Sequence, residues 1–281
     1  MNPTSHSPAD GAPASSRRLH LLDELRGLNL IDMIVYHFMW NLVYIAGIDF
    51  AWYRGRGAYV WQQSICWTFI LLSGFCWSFG RHHFKRGLTV FLSGGLVTVV
   101  TLVFVPENQI IFGVLTLIGS CMLLMIPLDW LLGKITNPAA VIVLTALSGF
   151  LFLLFFPAAH RHLANFAGIF RGERLFSGGP ALPDTLYHGW LNTYLGFPAI
   201  DFYSTDYFPL LPWFFLFVVG YLLHRLCSGA GLGKADLLEA AVWRKNPLPW
   251  AAFIGRHSLL IYLLHQPVLY SVTLIIMLFR Q

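Results

Sequence analysis

Residues 138–158 read PAAVIVLTALSGFLFLLFFPA, 21 residues without a charged side chain. A helix of that length rises ~30 Å, the thickness of a bilayer's hydrocarbon core, so the stretch is long and apolar enough to span one. Working outward from it, six further apolar runs are found, at residues 27–47, 59–80, 87–105, 111–132, 208–227 and 249–279. The composition agrees. Of 281 residues, 57% are apolar and 11% charged, and mean hydropathy is +0.64. A soluble domain carries ~25% charged residues to cover its water-facing surface. The predicted fold is an all-α polytopic transmembrane bundle of about seven spans, forming one domain over residues 17–281. Residues 1–16 (MNPTSHSPADGAPASS) are polar, small and Pro-rich, and are expected to be a disordered tail. They lack the basic start and apolar core of a cleavable signal, so the first span is expected to act as an uncleaved anchor. The last run is long enough to begin as an interfacial segment around residues 250–255.

Twelve of the 18 Lys and Arg fall on the N-terminal side of the membrane and six on the other. The bias places the N-terminus inside. Net charge is +5, but the basic residues flank apolar runs, so they signal topology and no nucleic-acid partner is expected. The four cysteines, Cys66, Cys76, Cys121 and Cys227, show no CxxC or other paired spacing. Neither a disulfide framework nor a metal site is indicated, and they read as small core residues. The segment from 160 to 207 is the longest on the outer side and reads as an ordered lid. No internal repeat is found, and no Walker loop, HExxH or GxSxG.

Ionisable side chains inside a span are costly and mark functional sites by default. The first span holds Asp23, Arg26, Asp32, His37 and Asn41. Arg26 and His37 are eleven residues apart, three turns plus ~20°, and share a face. The rise is ~16 Å, so His37 comes near the bilayer centre if Arg26 sits at the inner interface. Asn41 continues that face, and Asp32 points ~140° away. The last span offers Ser258, Tyr262 and His265 at i, i+4 and i+7, with Gln266 and Pro267 beside them. His265 lies at a depth similar to His37, while Arg256 falls on the opposite face of a continuous helix. Polar side chains of this kind also serve as glue between spans, at ~0.6 kcal/mol each. Two histidines at matching depth, each with polar companions, favour chemistry. Asp206 and Trp213, in STDYFPLLPWF, are expected at the outer mouth. Arg81 and Lys85, in RHHFKR, are expected at the inner face with Arg26 and Arg256.

Four blocks resemble, in order, those of the heparan-alpha-glucosaminide N-acetyltransferase catalytic-domain family, most closely its small bacterial members. They are LDELRGLNLIDMIVYHFMW (22–40), IIFGVLTLIGSCMLL (110–124), STDYFPLLPWFFLFVVGY (204–221) and IGRHSLLIYLLHQPVLY (254–270). Arg26 and His37 reproduce the Arg, ten residues, His spacing of a wider superfamily of membrane acyltransferases. The resemblance implies acetyl transfer from cytosolic acetyl-CoA to an amine or hydroxyl of a sugar-like acceptor across a bacterial inner membrane. Acetyl-CoA is then the donor, and no metal is expected. Arg26, Arg256, Arg81 and Lys85 would hold the phosphates, and His37 and His265 would be catalytic. Asp206, Trp213, Asn41, Ser258, Tyr262 and Gln266 would meet the acceptor. The lysosomal member carries its catalytic histidine in the loop after the first conserved span. Residues 47–58 contain none, so that role is not carried over. Read from the residues alone, a proton-coupled permease using Asp32, His37 and His265, or a non-catalytic membrane partner, stays open. The oligomeric state, a homodimer included, is likewise left open.

Overall fold

The computed structural model describes residues 19–159, 182–229 and 236–280. The expected N-terminal tail and the first part of the expected lid, 160–181, lie outside the described residues. Those described are helical, without strands. The helices are α1 (His20–Tyr44), α2 (Arg56–Trp77), α3 (His83–Phe104), α4 (Val114–Leu132), α5 (Pro138–Ala159), α6 (Trp190–Leu195), α7 (Leu210–Ser228), α8 (Pro249–Arg256) and α9 (Ser258–Leu278). Five of them, α3, α4, α5, α7 and α9, are long and apolar enough to cross a membrane. Helices α1 and α2 have the length, with 25 and 22 residues, but are not among the five. The sequence expectation was seven. The last expected run breaks at His257 (φ −102°, ψ 22°), which separates a short α8 from α9.

Local chemistry sets the helix ends. Asn137 Oδ1 accepts from Ala139 N at 2.9 Å and Pro138 opens α5, an N-cap followed by a proline at a position that needs no N–H. Arg225, 6% exposed, donates to the carbonyls of Leu132 and Ile135. A residue counted among the topology charges therefore satisfies the end of α4, where the helix dipole favours a cation.

Helices α4 and α7 form the centre: 56% of the apolar window of each is buried, against 11–17% for α3, α5 and α9. Their inner faces join α2 and α5 in one aromatic-rich core around Trp77, Leu117, Met125, Phe152, Trp213 and Phe217. A second cluster, with Leu30, Met33, Tyr36, Tyr53 and Ile65, joins α1 to α2. Three crossings are made by glycines from both partners. A Cβ on Gly27 would meet Ala251 O at 1.9 Å, and one on Gly255 would meet Asp23 O at 1.9 Å. Gly74 and Gly220 do the same between α2 and α7, and Gly94 and Gly119 between α3 and α4. In a membrane, where helices gain little from hiding apolar surface from lipid, such close approach supplies the packing. Gly255→Ala should separate α1 from α8 and cost about 1–3 kcal/mol, read as a lower thermal midpoint in detergent, with Gly149→Ala on open surface as the neutral control.

The α3–α4 contacts pair Gly87 with Leu123, Gly119 with Phe91 and Gly94 with Thr116, so the two helices are antiparallel. Val114 then lies beside about residue 96, and α3 runs on for about eight residues, ~12 Å, to Phe104. The connection before α4 turns back into the bundle, and the segment before α7 follows it. Thr205 N donates to Gln109 O at 3.0 Å and Phe208 N to Phe112 O at 2.9 Å. Ser204 Oγ accepts from Ile111 N and donates to Ile111 O. The described part of the expected lid, 182–207, packs onto this clasp. Tyr194 donates to Ser120 Oγ at 2.6 Å, and Tyr207 to Thr193 O.

Candidate active site

Helix α1 packs against α8 and α9, and this brings the two predicted polar faces together. The rings of His37 and His265 lie 5.0 Å apart, centroid to centroid. Gln266 Nε2 is 3.0 Å from His37 Nδ1. His265 Nδ1 bonds the carbonyl of Tyr262, whose ring centroid is 5.2 Å from that of the imidazole. His265 is 8% exposed, and its Nε2 has no hydrogen-bond partner among the described residues. Asn41, one turn beyond His37 and 1% exposed, has an equally unpartnered Nδ2. Leaving such groups unpaired costs about 1–3 kcal/mol each. A buried acceptor and a buried donor kept free are what a site for a polar ligand requires.

A cavity of about 430 Å³ adjoins this cluster, lined among others by Arg26, Lys85, Arg86, Arg256, Ser258 and Tyr262. Its size is that of a small-molecule site, and four cations give it a strong preference for anions. Arg26 is the most neutralised of the four, at 3.2 Å from Asp23. Tyr262 belongs to both places: it walls the cavity and touches His265. The placement of Arg256 corrects the expectation drawn from a continuous helix. The break at His257 re-aims α8, so Arg256 faces the same cavity as Ser258 and Tyr262.

The other expected residues fall elsewhere. Trp213 is fully buried among Phe152, Phe156 and Phe208, and Arg81 is not among the residues lining the cavity. Asp32 accepts from Trp61 Nε1 at 2.8 Å, on the side of α1 away from His37. Asp206, expected at the mouth, sits deeper, at the start of α4, where its carboxylate accepts from Val114 N at 3.4 Å. It is within electrostatic reach of Tyr262 and Cys66. Arg86 belongs to the RHHFKR cluster, whose charges read first as topology and second as a hold on phosphates, and Cys76, which also lines the cavity, had counted as a core residue. Ser73 and Cys76 line the cavity from α2, and their i, i+3 spacing is the signal the sequence offered for them. Among the described residues no group of three or more His, Cys, Asp or Glu is arranged to hold a metal.

Burial pushes the Asp206 carboxyl from an ordinary 3.8 up to about 6, and the Val114 N–H pulls the other way. The fold therefore favours its protonated form. Its contribution to stability is complete below 3.8 and is lost as pH rises through about 6. Raising the pH from about 4 to about 7 should lower the unfolding temperature of the wild type more than that of Asp206→Asn. Equal slopes would show that the carboxyl does not titrate in this window.

No curated protein and no solved structure matches the chain. The family described as heparan-alpha-glucosaminide N-acetyltransferase, catalytic, matches residues 18–267, a range that contains the histidine pair, its companions and all four cations of the cavity. With its apolar spans and that match over most of its length, the chain belongs to the heparan-alpha-glucosaminide N-acetyltransferase catalytic family, a family of membrane acetyltransferases.

Proposed function

We propose that this protein transfers an acetyl group from acetyl-CoA, bound at the basic cavity on the cytosolic side, to an amine or hydroxyl of a sugar-like acceptor that reaches the histidine pair from the far side of a bacterial inner membrane. The observation that carries the reading is the continuity of the two places through Tyr262. A cavity with four cations opens beside a buried imidazole pair that has a free lone pair. Guanidinium and ammonium groups suit the phosphates of CoA, and the cavity volume suits its thiol-bearing arm. When bound, the donor supplies the thioester. The acceptor oxygen or nitrogen bonds to the acyl carbon, the C–S bond breaks, and the acceptor's proton passes to the departing thiolate. The protein removes and returns that proton with an imidazole, which needs no charge in its resting form. Asn41 Nδ2, buried and unpartnered, is a suitable donor to a polar group of the bound reactants.

The test is transfer of labelled acetyl from acetyl-CoA to a panel of amino sugars and hydroxyl sugars by purified protein in liposomes. Wild type should transfer label, and His37→Ala should lose most of it. Full activity in His37→Ala would remove His37 from the mechanism. Failure of the wild type to transfer label from any acyl-CoA, together with no thermal stabilisation by CoA, would overturn the reading.

A further inference from the structure

Gln266, expected among the acceptor contacts, turns its amide to a histidine instead. We infer that Gln266 is a positioning residue that holds His37 in the tautomer opposite to that of His265, which the Tyr262 carbonyl sets, making His265, rather than His37, the base. The inference rests on the acyl-transfer reading for its chemistry and on geometry alone for the tautomers.

The argument is one of donors and acceptors. An amide nitrogen can only donate, so Gln266 Nε2, 3.0 Å from His37 Nδ1, makes that ring nitrogen an acceptor. In a neutral imidazole the hydrogen must then sit on the other nitrogen, His37 Nε2. A carbonyl oxygen can only accept, so the contact of His265 Nδ1 with Tyr262 O places the His265 hydrogen on Nδ1. The free lone pair is then on His265 Nε2, the atom that is buried without a partner. The two rings are in contact at 5.0 Å, one offering N–H and the other a bare nitrogen.

These states divide the work. His265 Nε2 takes the proton from the acceptor O–H or N–H as the acceptor attacks the acyl carbon, and returns it to the thiolate as the C–S bond breaks. His37 Nε2–H keeps its proton throughout and serves as a hydrogen-bond donor. With its nitrogen turned toward Nδ1, Gln266 disfavours the form in which His37 carries its hydrogen there. The two residues that set the tautomers, Tyr262 and Gln266, lie on the helix of the base itself, so the arrangement depends on the α1–α9 contact only for His37.

The test reads the tautomers directly. In protein labelled with ¹⁵N-histidine, ring ¹⁵N shifts distinguish a hydrogen-bearing nitrogen from a bare one, and His37→Ala and His265→Ala spectra assign the two residues. In wild type, His37 should carry hydrogen on Nε2 and His265 on Nδ1. Gln266→Met, of similar bulk but unable to donate, should leave His37 as a mixture of tautomers and His265 unchanged. In a transfer assay the same variant should lose about tenfold or more in kcat with KM for acetyl-CoA unchanged. Hydrogen on His265 Nε2 in wild type, or a single unchanged His37 tautomer in Gln266→Met, overturns the inference, and the wild-type spectrum decides even if the variant does not fold. The expected tautomers in a protein that transfers no acyl group would sink the proposed function and leave the positioning role standing.

Discussion

His265→Ala should lower kcat for acyl transfer by about 10²–10⁴-fold, the usual worth of a positioned proton carrier. The loss should fall on kcat, because the side chain lies beyond Tyr262 from the cations that would hold the donor. KM for acetyl-CoA should stay within about twofold. Folding should survive. The imidazole makes one hydrogen bond to its own helix and leaves Nε2 unpaired, so its removal deletes an unsatisfied group along with some packing. Steady-state kinetics together with thermal unfolding separate the outcomes. A variant that unfolds with wild-type stability and keeps wild-type kcat would leave His265 as interhelical glue.

Removing the cavity's cations should act on the other parameter. Arg256→Ala, and more so Lys85→Ala with Arg256→Ala, should raise KM for acetyl-CoA by about 10- to 100-fold, since a hydrogen bond to a charged group is worth about 1.5–3 kcal/mol. The kcat should change little. Arg256 is exposed, so part of its attraction is screened, and the wild-type KM should rise with ionic strength while the double variant's rises less. Arg26→Ala should have the smaller effect on donor binding, because Asp23 already neutralises that guanidinium at 3.2 Å. A double variant with unchanged KM and unchanged salt dependence would place the anionic donor elsewhere.

Much of this architecture is legible locally. Apolar runs mark the spans because lipid forces the backbone to satisfy itself within a helix. The faces of α1 and α9 follow from helical periodicity within a single segment. Tyr262 and His265, placed on one face by their spacing, are in ring contact. Other features turn on single dihedrals or distant partners. The break at His257 is one residue leaving the helical region, and it accompanies the placement of Arg256 on the cavity with Ser258 and Tyr262. Asp206 descends into the bundle because Ser204, Thr205 and Phe208 pair with residues 109–112. Trp213, equally suited by type to a sugar, meets three phenylalanines instead.

The sequence by itself determined that this chain is a helical membrane protein, that five of its expected apolar runs hold helices long and apolar enough to cross a bilayer, and that Tyr262 and His265 share a helix face. All of these follow from interactions within about one span's length of chain. The tertiary structure alone decided that the two faces touch, that cations from α1, α3 and α8 close on one cavity, and that His265 Nε2 is buried without a partner among the described residues. Those outcomes depend on helices up to 229 residues apart in the chain, brought together by reciprocal glycine crossings whose backbones approach too closely for any side chain to intervene.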